Sequence, residues 1–209
     1  RALAFVCLLT FNLQAQIDNF DTGTATGWLN ITATNYPAAY SFPTDLFGIY
    51  AYRLEGLRPA GYIDTHKGEA GLNSARVMAY RTNQVYTNFF VAADVLAWGA
   101  PNDTNGTTFG IFARGNNLAS GQGKAVKLAV EPNRFYKGVV GSRGQAQLGM
   151  LSFGDQITDQ SLPSALAACT LVEGRSYRFV LTGVSNVLTG AIYDLEDLTR
   201  PLISFRGDD

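Results

Sequence analysis

From residue 17 onward the chain alternates apolar and polar positions in short runs rich in Val, Phe, Tyr, Ile and Thr, separated by clusters of Gly, Asn, Asp and Pro. The longest run covers residues 85–98. Within it Phe89, Val91, Ala93 and Val95 fall on one side and Phe90, Ala92, Asp94 and Leu96 on the other. Successive side chains of a strand point to opposite faces, so a run apolar on both predicts a central strand between two packed layers or lining a covered concave face. Further strands are predicted at 107–114, 124–131, 135–140, 147–153, 176–183 and 187–194, with earlier ones near 17–20, 27–32, 48–54 and 75–81. Asn105-Gly106, Ser142-Arg143-Gly144 and Glu173-Gly174 supply turns between them. Helical periodicity is nearly absent, and residues 162–168 have room for one helical turn at most. A dozen or so short strands predict an all-β sandwich or barrel and argue against βαβ units. No repeat, low-complexity tract or linker breaks the pattern, which places 17–209 in one domain. Residues 202–205 read as a last strand without a closing partner, which points to a truncated C-terminus and an exposed edge at 17–20.

Residues 1–16 differ in character. They hold one basic residue, Arg1, an apolar run over 2–9, and the small residue Ala15 before polarity changes. This is the pattern of a partial secretory signal peptide. Its apolar core falls short of the ~20 residues a transmembrane helix needs, so no transmembrane segment is expected. Cleavage after Ala15 or Gln16 leaves a chain starting near Ile17, destined to be secreted or held at the cell surface. Without Arg1 the chain carries 15 Lys and Arg against 17 Asp and Glu, a net charge of −2. No basic run is interleaved with aromatics, so nucleic acid is not an expected partner. Cys7 lies in the signal, leaving Cys169 alone after Ala167-Ala168 as a small buried hydrophobe. Lipid attachment at Cys7 lacks the small residue expected just before it.

Candidate chemistry is sparse. A retaining glucanase needs two carboxylates about 5–5.5 Å apart, as alternating acids on one strand provide. The glutamates here are Glu55, Glu69, Glu131, Glu173 and Glu196, and no two are close in sequence. Asp194, Glu196 and Asp197 form the tightest acidic group and read as a solvated turn after a strand. His66 is the only histidine and sits in a polar loop, so neither a Ser-His-Asp triad nor a zinc site is indicated. Calcium asks only for oxygen ligands, and Asp18, Asp21 and Asp103 are its candidates, although Asp, Asn and Gly also make ordinary turns. Sugar binding favours an aromatic platform beside amides and a carboxylate. Trp98 ends the longest strand on the Asp94 side, Asn102 and Asp103 follow in the next loop, and Arg114, Asn116 and Asn117 end the following strand. These converge if the two strands are neighbours. The alternative makes Trp98 a core residue and pairs Asp94 with Arg114 as a buried structural ion pair.

Four segments carry a resemblance: residues 17–21 leading to Gly27-Trp28, 80–83 leading into 86–92, 109–114, and 188–195. Together they resemble the concanavalin A-like, laminin G-like domains of secreted bacterial proteins. The resemblance implies a two-sheet antiparallel jelly-roll sandwich and a non-catalytic role in binding an extracellular glycan or surface protein. It implies no constant catalytic set. A polysaccharide hydrolase or lyase using dispersed acids such as Asp94 and Glu131 or a tyrosine, and a structural envelope or matrix domain, are the alternatives.

Overall fold

The computed structural model describes residues 18–32, 38–44, 48, 50–56, 77–81, 86–98, 108–118, 123–131, 134–136, 139–142, 144–153 and 159–208. Residues 1–16, expected to be a partial signal peptide, and Asn102, Asp103 and His66 lie outside these. The described residues form fourteen strands: β1 Trp28–Thr32, β2 Ala38–Ser41, β3 Arg53–Gly56, β4 Val77–Arg81, β5 Phe89–Val95, β6 Phe109–Asn116 and β7 Gly123–Glu131, then β8 Arg134–Tyr136, β9 Val139–Ser142, β10 Gln145–Phe153, β11 Asp159–Ala168, β12 Tyr177–Val184, β13 Val187–Asp194 and β14 Ile203–Asp208. All pairings are antiparallel. The fold is an all-β sandwich.

Two four-stranded sheets make its body, a front sheet in the order β14-β13-β12-β5 and a back sheet in the order β11-β10-β7-β6. The ribbons β1-β4, β2-β3 and β8-β9 accompany them. Alternation along the strands sends one set of side chains from each sheet into a shared core. Tyr177, Phe179, Leu181, Leu188, Ile192 and Phe205 from the front sheet meet Val126, Leu128, Val130, Ala146, Leu148 and Ala165 from the back. Full burial of each large apolar side chain stabilises the fold by about 1.5–3 kcal/mol. Gly190 permits a close approach of the layers, because a Cβ there would lie 2.9 Å from Cδ1 of the fully buried Leu128.

The outer face of the back sheet is covered as well. Ala125 and Leu151 there pack with Leu118 and Phe112, and with Ile31, Met78 and Tyr80 of the β1-β4 ribbon. Strand β7 is therefore buried on both sides from Ala125 to Val130, with Lys127 only 4% exposed.

Several expectations need correction. Strand β5 lies at the edge of the front sheet, with β12 as its partner among the described residues. The face carrying Phe89, Val91, Ala93 and Val95 is half-buried, and the face carrying Phe90, Ala92 and Asp94 is exposed. Its apolar outer face is open to solvent, not covered. Residues 162–168, given room for one helical turn at most, belong to β11, where pairing with β10 fixes the strand and overrides the helix propensity of alanine. Residues 18–20 form no strand, and Phe20 leaves the extended region at φ 56°. Residues 135–140 split between β8 and β9. Strand β14 pairs with β13 from Val187↔Asp208 to Ile192↔Ile203 and, among the described residues, forms the other edge of the front sheet.

Candidate binding face

The sequence places Asp94, Trp98 and Arg114 in one cluster, and the fold distributes them among three places. Asp94 stands on the outer face of β5, opposite Arg178 of β12. Arg178 Nε donates to Asp94 Oδ1 at 2.6 Å and Nη2 donates to Oδ2 at 2.7 Å, a bidentate fork in which the hydrogen bonds to Asp94 raise the guanidinium pKa further. Arg178, rather than Arg114, is thus the ion-pair partner of Asp94. Trp98 lies beyond the end of the strand and turns back into the shared core, stacking on Phe109 at 5.6 Å between centroids. Its Nε1 is buried without a hydrogen-bond partner among the described residues.

Arg114 sits at the other end of β5. Its Nη2 donates to the carbonyl of Thr87 at 2.8 Å and to that of Ser185, while its guanidinium lies 5.3 Å from the centre of the Phe89 ring. These contacts fasten β6 to the start of β5 and to the β12-β13 turn. Asn116 Oδ1 accepts from the Lys124 backbone N–H at 2.9 Å, and Asn117 has φ 51°, so this pair shapes the connection from β6 to β7. Asn102 and Asp103 fall outside the described residues.

The acids behave as structural groups. Asp194 is buried, accepting from Arg175 Nη1 at 2.6 Å and from the Glu196 backbone N–H at 3.0 Å, whereas Glu196 and Asp197 are exposed. Hydrogen bonds from the Thr199 hydroxyl and backbone N–H hold the Asp197 carboxyl below its ordinary range. Asp94 faces outward from the front sheet and Glu131, following the inward Val130, faces outward from the back sheet. The two acids lie on opposite sides of the sandwich and share no groove.

At the calcium candidates, Asp18 Oδ2 accepts from Trp28 Nε1 at 2.7 Å and lies 3.2 Å from Arg81 Nη2, while Asp21 accepts from the Asn19 amide. The Arg81 cation opposes a divalent ion at that Asp18 oxygen. No group of three His, Cys, Asp or Glu converges among the described residues. Beside Asp18 lies a cluster that sequence reading missed, in which the Phe20 ring contacts Trp28, Phe42 and Tyr52 at 5.2–6.3 Å and Phe42 stacks on Tyr52 at 5.0 Å. The rings pack against one another as a satellite core. Burial there raises the Tyr52 phenol pKa.

The feature that stands open is the outer face of the front sheet. Register aligns its side chains in rows across the strands: Asp94, Arg178 and Tyr193; Ala92, Val180, Ala191 and Ser204; Phe90, Thr182, Thr189 and Arg206; and Val184, Val187 and Asp208. Phe90 is 71% and Val184 62% exposed. The Thr182 and Thr189 hydroxyls hydrogen-bond to each other. Sequence reading found Asp94 but not its neighbours, because they are brought together by pairing between strands 84 residues apart.

No protein-family model matches the chain, and neither the characterised proteins nor the solved structures give a match. No helix among the described residues is long and apolar enough to cross a membrane.

Proposed function

We propose that this chain is a non-catalytic extracellular recognition module of the concanavalin A-like, laminin G-like kind, exported by the signal segment at 1–16 and meeting a carbohydrate or cell-surface partner on the open face of the front sheet. The observation that supports this reading is the composition of that face. Its charged residues are Asp94, Arg178, Arg206 and Asp208, and it contains neither Lys nor Glu. Faces evolved only for solvation use Lys and Glu freely, whereas recognition surfaces are depleted in both and enriched in Arg and aromatics, here Phe90 and Tyr193.

The test is an array carrying oligosaccharides and extracellular proteins, probed with the native chain and with the double variant Ala92→Glu/Ala191→Glu. Both substitutions lie on the open face, so the variant is expected to keep its thermal midpoint and lose binding by about tenfold or more. Array binding that the double variant retains, or a silent array, overturns the proposal; silence instead favours a structural envelope or matrix domain.

A further inference from the structure

The two margins of the sandwich are finished differently. At one margin β14 packs against β11, and Phe205 and Ala165 on these strands are buried. At the other, β5 of the front sheet meets β6 of the back sheet. There Phe89 and Val95 of β5, Phe109, Ile111 and Ala113 of β6, and Trp98 pack on the shared core yet are only half-buried. The core is open along the β5-β6 margin.

The four edge strands also differ in how they resist pairing. Proteins guard an exposed edge with Pro, charges, a bulge or an apposed element. Strand β11 carries Pro163, and β6 has a bulge between Ala113 and Asn116 at which Arg114 has φ 51°. Strand β14 carries Arg206 and Asp208 and lies against β11. Strand β5 has none of these devices. It contains no Pro, Lys or Arg, and its register on β12 runs without a shift from Phe89 to Val95. Its one charge, Asp94, faces outward and is neutralised by Arg178. No second strand among the described residues pairs with it. Alternate residues of an antiparallel strand turn both N–H and C=O away from the partner, so about half of β5 offers such pairs along its free edge, about 7 Å apart.

Chemistry and area select the occupant. A row of donors and acceptors at that spacing is matched by the backbone of another extended strand. The margin is about 24 Å long, from seven residues at ~3.4 Å each, and about 10 Å thick, an area of about 240 Å². A stable interface between folded proteins takes about 800 Å² from each side, so this edge is too small to hold two whole copies together. A flexible peptide needs only the edge. Side chains it turns inward meet the apolar margin of Val95, Phe109 and Ile111, and those it turns outward lie in solvent beside Phe90 and Ala92.

We infer that the free edge of β5 binds an extended peptide segment of a partner protein, which adds a fifth strand to the front sheet and covers the β5-β6 margin with alternate apolar side chains. This site is the edge of the strand, separate from the open face of the same sheet.

Fluorescence anisotropy with the full chain tests this, using a labelled peptide in which valine and threonine alternate between terminal lysines, and a second peptide with proline at the central valine. The first is expected to bind saturably, and the proline, which deletes a ladder donor, to weaken binding about tenfold or more. At saturating peptide, amides within 89–95 should exchange hydrogen about tenfold or more slowly. Ala93→Lys points a charge into the margin and should weaken binding about tenfold or more, whereas Ala191→Glu, on the open face, should leave it unchanged. The hydrogen-exchange result decides the matter if Ala93→Lys unfolds. No binding, binding insensitive to proline, binding that a folded Ala93→Lys retains, protection confined to strands other than β5, or loss of binding in Ala191→Glu overturns the inference. A concentration-dependent dimer in sedimentation velocity that Ala93→Lys abolishes also overturns it, giving the edge to a second copy.

Discussion

In the back sheet, β7 buries every residue from Ala125 to Val130, its inner set against the front sheet and its outer set near the β1-β4 ribbon. In the front sheet, β12 alternates strictly, with Tyr177, Phe179 and Leu181 buried and Arg178, Val180 and Thr182 half-exposed between them. The two strands face each other across one core and differ in what lies behind them. A strand covered on both faces becomes nearly continuous in its apolar character, and one covered on a single face keeps its period of two. The uncovered face keeps its polar and charged side chains in contact with solvent.

The shared core should dominate stability from either side. Phe179→Ala removes a fully buried ring from the front sheet and is expected to destabilise the fold by about 3–5 kcal/mol in urea unfolding. A loss below about 1 kcal/mol would mean the two sheets do not share a core. The contrast between outer faces is sharpest in a matched pair. Ala125→Lys places a charge in the covered layer, with an expected loss of about 2–4 kcal/mol, whereas Ala191→Lys on the open face should stay within about 0.5 kcal/mol. Equal effects would erase the distinction between covered and open layers.

Cys169 probes how dry the shared core is at the end of the back sheet. Burial raises its thiol pKa from 9.0 to about 11. The neutral thiol is favoured in the folded chain, so this contribution is complete below pH ~9 and is lost as pH rises through about 11, on the order of 2 kcal/mol in all. Cys169→Ala should flatten stability over that window, and an unchanged pH profile would show a hydrated thiol. A small effect also belongs to the ion pair on the open face. Asp94→Ala removes an ion pair whose side chains are 37% and 38% exposed, and should change stability by about 0–1 kcal/mol, less in high salt.

The legible parts of the fold were those in which alternation and burial coincide. Strand β13 occupies the predicted residues 187–194, and β7, β10 and β12 fall within two residues of their predicted limits. The edge position of β5 was hidden because Phe90 and Ala92 are as apolar in sequence as covered residues, and only the third dimension shows them exposed. The separation of Trp98 from Asp94 was hidden for a different reason. Both sit at even positions, but the strand stops at Val95, after which parity no longer sets direction. Arg178 gave one usable signal, a charged residue alternating with the buried Tyr177 and Phe179, yet its partnership with Asp94 depends on register between distant segments.

That distance also sets an order of events as the chain folds. Strands β12, β13 and β14 follow one another and form by local pairing, while β5 joins them only by closing a loop of 84 residues, an entropic term of roughly 4 kcal/mol. The front sheet is therefore expected to grow from its C-terminal hairpins and to receive β5 late, which φ-values near zero in β5 would show. By the same logic β5 is the first strand of that sheet to detach, carrying Asp94 and Phe90 with it, so a ligand spanning the rows would slow the sheet's opening by tying its last-added strand to its first-formed ones.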